Sequence, residues 1–445
     1  MDISLFLVAF LSLGIMYLII GIMASKKVHS NADYFLAGKS LSIPDVTFTL
    51  IATQLGGGML LGTAQEAYTN GLYGIAYTTG ICIGFLLLAF CFAERLQALQ
   101  VATTAELFET RYHSITLKKI ASILSIITMS GILIAQVIGS KSFLASIGFY
   151  NEYAFLLFWA FTIFYTMIGG LQAVVWTDTA QVCLIMLVFG YLFIQSIYQN
   201  PQALLALFQP HALFKETAFD RTLFFSTMLI PALFSLIEQD IAQRFFAAKN
   251  GFVARISALC AALFLIIFAC IPIYFGIQAR ITGIPLAGHT SPLMPMLATI
   301  SGGFLLALAA CAIIAAINST ADSLLCAISS NIAQDFDLSF LPGTQLIRSK
   351  AITLIVGIFA VGASYFITQN IISIIVQSYE LSVYGLFVPL VACYFLDTVK
   401  KKAAIVSLIF SVSSLLYFWI GNPTESKTVI TLSASAIGYL IGWFL

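Results

Sequence analysis

Ala52-Thr53-Gln54-Leu55-Gly56-Gly57-Gly58 lies in the middle of an otherwise apolar segment running from about residue 44 to 68. Each of the three consecutive glycines weakens a helix by about 1 kcal/mol relative to alanine. Thr53 and Gln54 add polar groups where lipid penalises them. A helix through this stretch is expected to break. Broken backbone at membrane depth is tolerated only against protein or a water-filled cavity, because its freed N–H and C=O groups need partners. A bound ion and a solute can be those partners, as at the interrupted helices of secondary transporters. The competing reading is close helix packing through small residues.

The surroundings of this stretch are those of a membrane protein. The chain has 445 residues, 60% hydrophobic and 9% charged, with a mean hydropathy of +1.00, whereas soluble domains carry about 25% charged residues. A net charge of +1 points to no nucleic acid or other highly charged partner. The eight cysteines sit in apolar runs without a CxxC pair and read as small core residues. His29, His113, His211 and His289 fall in loops.

A spanning helix needs about 20 apolar residues, and about thirteen segments qualify: 3–24, 44–68, 71–97, 119–147, 153–169, 174–198, 222–245, 254–277, 296–331, 351–370, 372–395, 404–420 and 428–445. The first reads as a retained membrane helix rather than a cleaved signal. With that count, one set of loops carries fifteen of the twenty Lys and Arg residues and the other carries four, with Lys141 left inside a span. The asymmetry places the N-terminus outside and the C-terminus in the cytoplasm. The loops are too short for a soluble catalytic domain, so no enzyme is expected.

Charge inside a span marks a pathway or a pair. The candidates are Asp178, Glu238, Asp240, Asp322 and Glu380, with Lys141 as the one base. Asp240 and Arg244, four residues apart near a cytoplasmic end, read as structural, paired with each other or reaching water. The densest group is Ala316-Ile317-Asn318-Ser319-Thr320-Ala321-Asp322-Ser323, in which Ser319 and Ser323 share a helix face near mid-membrane. A hard monovalent cation wants several oxygens in a flexible cage. The hydroxyls of Ser319 and Thr320 and the carbonyls of Ala316, Ala52 and Leu55 would supply them. The alternative is ordinary packing, with the hydroxyls bonded back to the preceding turn.

A second break is expected over residues 228–240, where Pro231 removes a backbone bond and Glu238 and Gln239 sit at depth. It opens the sixth core helix counted from residue 44, as two inverted five-helix halves would require.

These residues also carry a resemblance. Asp33-Tyr34-Phe35-Leu36-Ala37-Gly38-Lys39-Ser40-Leu41 resembles the DYFLAGRSL loop of the sodium:solute symporter family, which includes proline, pantothenate, sialic acid and sugar transporters. The stretch from Ile168 to Gln181 is similar to its IGGxxAVxWTDxxQ motif, and Gln239 to Lys249 is similar to its glutamine- and arginine-bearing AAK ending. Ser319-Thr320 matches its AxxS[ST] motif.

The resemblance implies an all-α polytopic protein with a leucine-transporter-type 5+5 inverted-repeat core, one helix before it and two after. The divisions would be 1–43 for the N-terminal helix and cytoplasmic loop, 44–198 and 222–395 for the repeats, 199–221 for an extracellular loop, and 396–445 for the closing pair. It implies sodium as the coupling ion, held by Ala52, Leu55, Ala316, Ser319 and Thr320, and a possible second sodium at Asp178 with Ser319, Thr320 and Ser323. Where the proline branch has an aspartate this chain has Gln54, which argues against proline. No lysine over 254–277 matches that of some sugar transporters.

The expected activity is sodium-coupled uptake of a small organic solute by a multi-pass plasma-membrane monomer. Thr53, Gln54, Gly56, Gly57, Phe234, Glu238, Tyr379, Glu380 and Tyr384 would face the solute. Glu238 and Glu380 hint at a cationic or amine group on it. Proton coupling through Asp178, Asp322 and Glu380 is the nearest alternative. A channel or a non-transporting sensor is more distant, since no continuous polar pore lining or output domain is visible.

Overall fold

The helix boundaries follow from local chemistry. In the computed structural model, which describes residues 3–149, 151–201, 221–286, 291–367, 371–421 and 427–445, α1 (Ile3–Ser25) is followed by a short α2 (Asn31–Leu36). Ser30 and Asp33 cap α2 reciprocally, each side chain taking the other's backbone N–H. Ser42 and Asp45 do the same for α3 (Ile43–Gln54), with Pro44 in its first turn. After a π-turn over Gly58–Gly62 the chain continues as α4 (Thr63–Asn70), α5 (Ala76–Leu87), α6 (Ala93–Ala98) and α7 (Glu106–Tyr112). Then come α8 (Ile115–Ser146) and the long α9 (Glu152–Gln199), capped by Ser114 and Asn151.

Helix α9 is not continuous. Gly170 has φ 53° and ψ −147°, and a Cβ there would lie 2.3 Å from the carbonyl oxygen of Tyr34. Only glycine fits both the backbone and the space. The second half of the chain runs through α10 (Arg221–Ser235), α11 (Gln239–Ala247), α12 (Gly251–Ile281), α13 (Leu293–Ile300), α14 (Gly303–Asp335), α15 (Gln345–Ala363), α16 (Ile371–Phe395), α17 (Lys401–Ile420) and α18 (Lys427–Phe444).

Among the described residues, ten helices or helical runs are long and apolar enough to cross a membrane. The central one is α14, which is 83% buried over its apolar window, the highest share of the ten. It packs on α1, α3, α8, α9, α11, α13 and α15. Outward faces are apolar, as on α1, where Val8, Ile15, Ile19 and Ile22 are half exposed or more, the pattern of a chain whose solvent is lipid. All eight cysteines are free; Cys82, Cys311, Cys326 and Cys393 are core residues as expected, but Cys91, Cys183, Cys260 and Cys270 point outward.

The last two helices form a tight hairpin. Ser407 and Ser435 hydroxyls are 3.0 Å apart, and a Cβ on Gly442 would lie 2.6 Å from the Lys402 carbonyl oxygen, the close approach that small residues allow between membrane helices.

Candidate functional site: two broken helices against α14

Helix α3 stops at Gln54, and the chain turns through Leu55 and Gly56 before resuming at Gly57. The gap's glycines are not equivalent: contact demands glycine at Gly56 but not at Gly58. A Cβ on Gly56 would sit 2.3 Å from Thr320 Oγ1, so α14 comes too close for any side chain. At Gly58 nothing lies within 4 Å, and the backbone borders open space.

The break frees carbonyls that an unbroken helix would have used. Ser319 Oγ, wholly buried, lies 2.9 Å from the Ala52 carbonyl and 2.9 Å from that of Ala316. Thr320 Oγ1 donates to the Thr53 carbonyl at 3.0 Å. The Leu55 amide closes the last turn on the Ile51 carbonyl at 2.8 Å. The donor set converging on Ser319 is all oxygen, uncharged and drawn from two helices, which fits a hard monovalent cation. Ala52, Ala316 and Ser319 thus present oxygens that suit the sodium ion the sequence implied, while Thr320 Oγ1 is turned to the Thr53 carbonyl.

The second break lies where residues 236–238 separate α10 from α11. Glu238 is buried, and its Oε1 has no hydrogen-bond partner. Gln239 fixes the following turn by accepting from the Thr104 amide at 2.7 Å and donating to the Ala102 carbonyl at 3.1 Å.

Arg244 departs from the expected surface pair with Asp240. It is wholly buried, and its Nη1 donates to the Asp240 main-chain carbonyl at 2.5 Å rather than to the carboxylate. Its Nη2 reaches Ser323 Oγ at 2.5 Å, and its Nε reaches Thr49 Oγ1 at 3.3 Å. The helix-surface spacing misled because α11 begins only at Gln239 and lies in the core, where hydroxyls of α3 and α14 reach the guanidinium.

The carboxylates divide between two networks. Thr49 Oγ1 donates to Asp178 Oδ2 at 2.5 Å, while Thr53 and Ser323 hydroxyls are 3.1 Å apart. Asp178 and Ser323 are thus linked through Thr49 and Arg244. Asp322 turns the other way: Tyr165 donates to its Oδ2, Thr177 approaches at 3.4 Å, and Oδ1 has no partner. Asn318 donates to Tyr165 at 2.8 Å and accepts from Thr162 at 2.6 Å. With its amide turned, Gln181 donates to Asp178 Oδ1 at 3.3 Å and accepts from Asn318 at 3.0 Å, joining the two networks.

Between the breaks lies a cavity of about 30 Å³, room for about two waters. Five of the residues expected to face a solute line it: Thr53, Gln54, Gly56, Phe234 and Tyr379. Gly57 adjoins it, with Ile317 Cγ1 3.1 Å from where its Cβ would be. Glu238 is not among the lining residues. Glu380 and Tyr384 face the closing hairpin: Glu380 Oε2 is 2.5 Å from Lys427 Nζ, and Tyr384 Oη is 2.9 Å from Thr428 Oγ1. Lys141 lies 3.9 Å from Glu152 and over the Tyr365 ring, away from the cavity.

Sequence reasoning missed Tyr77, Gln136 and Asp240 in the lining. Gln136, a lone amide within an apolar span, and Asp240, a charge within a span whose spacing suggests pairing with Arg244, were the signals available. Over the cavity, Tyr77 and Tyr379 hydroxyls are 3.0 Å apart, and the Tyr379 and Phe234 rings are 4.0 Å apart.

The fold recurs in solved structures. A Na+-coupled sialic acid symporter, substrate-bound and outward-open, superposes with a TM-score of 0.86 at 17% identity, over 99% of this chain and 98% of that one. Mhp1, a nucleobase-cation-symport-1 family transporter in a closed conformation with bromovinylhydantoin bound, gives 0.62 at 12% identity, over 92% and 93%. At such identities the likeness is one of fold. Sequence supplies the family: the model for the sodium:solute symporter family matches residues 34–411, a span that contains both breaks and the Ser319–Thr320 pair. On this match the chain belongs to the sodium:solute symporter family, with sodium as its coupling ion.

Proposed function

We propose that this chain is a plasma-membrane transporter that couples sodium entry to uptake of a small organic solute, an amino acid, a carboxylate or a related molecule, by alternating access. The observation that carries the reading is the contact of the broken end of α3 with Ser319 and Thr320, which supplies an ion cage beside a cavity. Counting each broken pair as one crossing and α9 as two gives thirteen crossings. Two inverted sets of five would then run from α3 to the end of α9 and from α10 to α16, with the N-terminus outside, the C-terminus cytoplasmic and one chain as the working unit.

Bound sodium would supply a positive charge among the Ala52, Leu55 and Ala316 carbonyls and the Ser319 and Thr320 hydroxyls. The protein's own part is to hold α3 against α14 and to keep water out. Tyr77, Phe234 and Tyr379 close the cavity on one side. A cavity of about 30 Å³ is too small for an organic solute, so exchange requires α16 and α10 to part from α5. Coupling needs sodium to favour the solute-competent arrangement, since equal affinity for both states shifts nothing. At Asp178 and Ser323, a second ion would have to compete with the Arg244 guanidinium, which favours one ion per cycle.

Purified protein should be stabilised against heat by sodium more than by potassium, and one class among amino acids, carboxylates, sugars and quaternary amines should add to that shift. No sodium-dependent shift with any of them would overturn the reading. Proton coupling is favoured by one feature: Asp322 is wholly buried with one carboxyl oxygen lacking a partner. Uptake at fixed pH with and without sodium separates the two.

A further inference from the structure

We propose that the central cavity is built for a solute carrying a cationic nitrogen, a protonated or quaternary amine, with Asp240 as its counter-charge; this deepens, and rests on, the transport reading above. Asp240 lines the cavity and is only 4% exposed. Its Oδ1 accepts the Ile241 amide at 2.7 Å. Among the described residues no Lys, Arg or His lies within 4.0 Å of its carboxylate; the nearest cation, Arg244, bonds Ser323, Thr49 and the Asp240 main-chain carbonyl, and its single charge is shared with Asp178. A carboxylate removed from water without a cation is strongly disfavoured, and the open side of this one is the cavity.

The other walls suit the same group. The rings of Tyr77, Phe234 and Tyr379 stand around the cavity, and aromatic faces attract an ammonium. Gln54 and Gln136 complete the lining. Gln136 is only 6% exposed, and its amide makes no hydrogen bond among the described residues. It faces the glycine gap, its Oε1 3.7 Å from where a Cβ on Gly57 would be. Two amides with spare donors and acceptors fit a carbonyl, carboxylate or hydroxyl on the rest of the solute. A neutral solute would leave Asp178 and Asp240 sharing the one Arg244 cation, and an anionic solute would add to their charge. The sequence's hint of an amine thus survives on a different residue from Glu238 or Glu380.

The test compares matched probes on the purified full chain by thermal shift, in sodium and in potassium: choline against neohexyl alcohol, its uncharged carbon isostere, and L-leucine against isocaproate, which lacks the amine. In sodium, at least one amine should raise the melting temperature while its amine-free partner does not. Its affinity should fall by at least about 30-fold in Asp240→Asn and be largely kept in Asp240→Glu. Equal stabilisation by an amine-free partner, unchanged amine affinity in Asp240→Asn, or no shift with either amine overturns the proposal. The wild-type pairs decide the matter even if the variants do not fold. Sodium without any probe is the separating control: a sodium shift with failed amines sinks only this inference, whereas no sodium-dependent shift in any arm sinks the transport reading itself.

Discussion

Ser319 Oγ lies 2.9 Å from the carbonyl oxygen of Ala52, a residue 267 positions earlier in the chain. The hydroxyl and the carbonyl come from different helices, and only the interruption after Gln54 leaves that carbonyl available. Helix end and helix middle are thereby made into one polar unit.

Removing the hydroxyls should weaken ion binding as well as stability. Ser319→Ala with Thr320→Ala leaves the Ala52 and Thr53 carbonyls without their donors, costing about 1–3 kcal/mol for each group left unsatisfied. The expected outcome is a tenfold or greater rise in the sodium concentration needed for uptake, about 1.4 kcal/mol or more. Sodium titration of uptake in proteoliposomes checks it, and an unchanged midpoint would exclude the cage.

Gly56→Ala puts a methyl group 2.3 Å from Thr320 Oγ1. Overpacking of this kind costs about 1–3 kcal/mol, seen as a lower melting temperature. Adding Thr320→Ala removes the clashing atom, so the double variant should melt higher than the sum of the single effects predicts. Strict additivity would mean that the two helices are not in contact there.

Arg244 is the cation most deeply buried in the polar centre. Arg244→Gln strips that charge from a region holding Asp178 and Asp240, and should lower stability by about 3–5 kcal/mol. Arg244→Lys should rescue it poorly, because one ammonium cannot copy the fork that reaches Thr49 and Ser323 together. Thermal unfolding of the two variants in the same detergent is the measurement.

Glu380 should prove to be a strut and not a solute ligand. Its side chain is 10% exposed, and Lys427 lies 2.5 Å away. Lys427→Met leaves the carboxylate unpaired and should destabilise the protein. Glu380→Gln combined with Lys427→Met should restore stability with the solute affinity unaltered. A large change in affinity in the double variant would return Glu380 to the binding site.

What could be read from the chain was what its local chemistry dictates. The glycine run over Gly56–Gly58 breaks a helix wherever it stands, and the hydroxyl pair Ser319–Thr320 is conspicuous within an apolar span. Which way a charged side chain turns is a different matter. The four-residue spacing of Asp240 and Arg244 suggested mutual pairing, yet the acceptors that win are Thr49 and Ser323, on helices nearly 200 residues before and about 80 after. In the same way, nothing in the periodicity of α16 says that Glu380 meets Lys427 on α18 while its neighbour Tyr379 meets Tyr77 on the far side. Such choices are settled by tertiary packing, which periodicity along one helix does not encode.

The adjacency of Tyr379 and Glu380 has a mechanical result. One side chain latches the lid over the cavity and the next grips the terminal hairpin, so the door and its counterweight hang from a single turn of α16. Any swing that lets a molecule in must either drag the hairpin along or let go of it, and the stiffness of that grip becomes a brake on turnover.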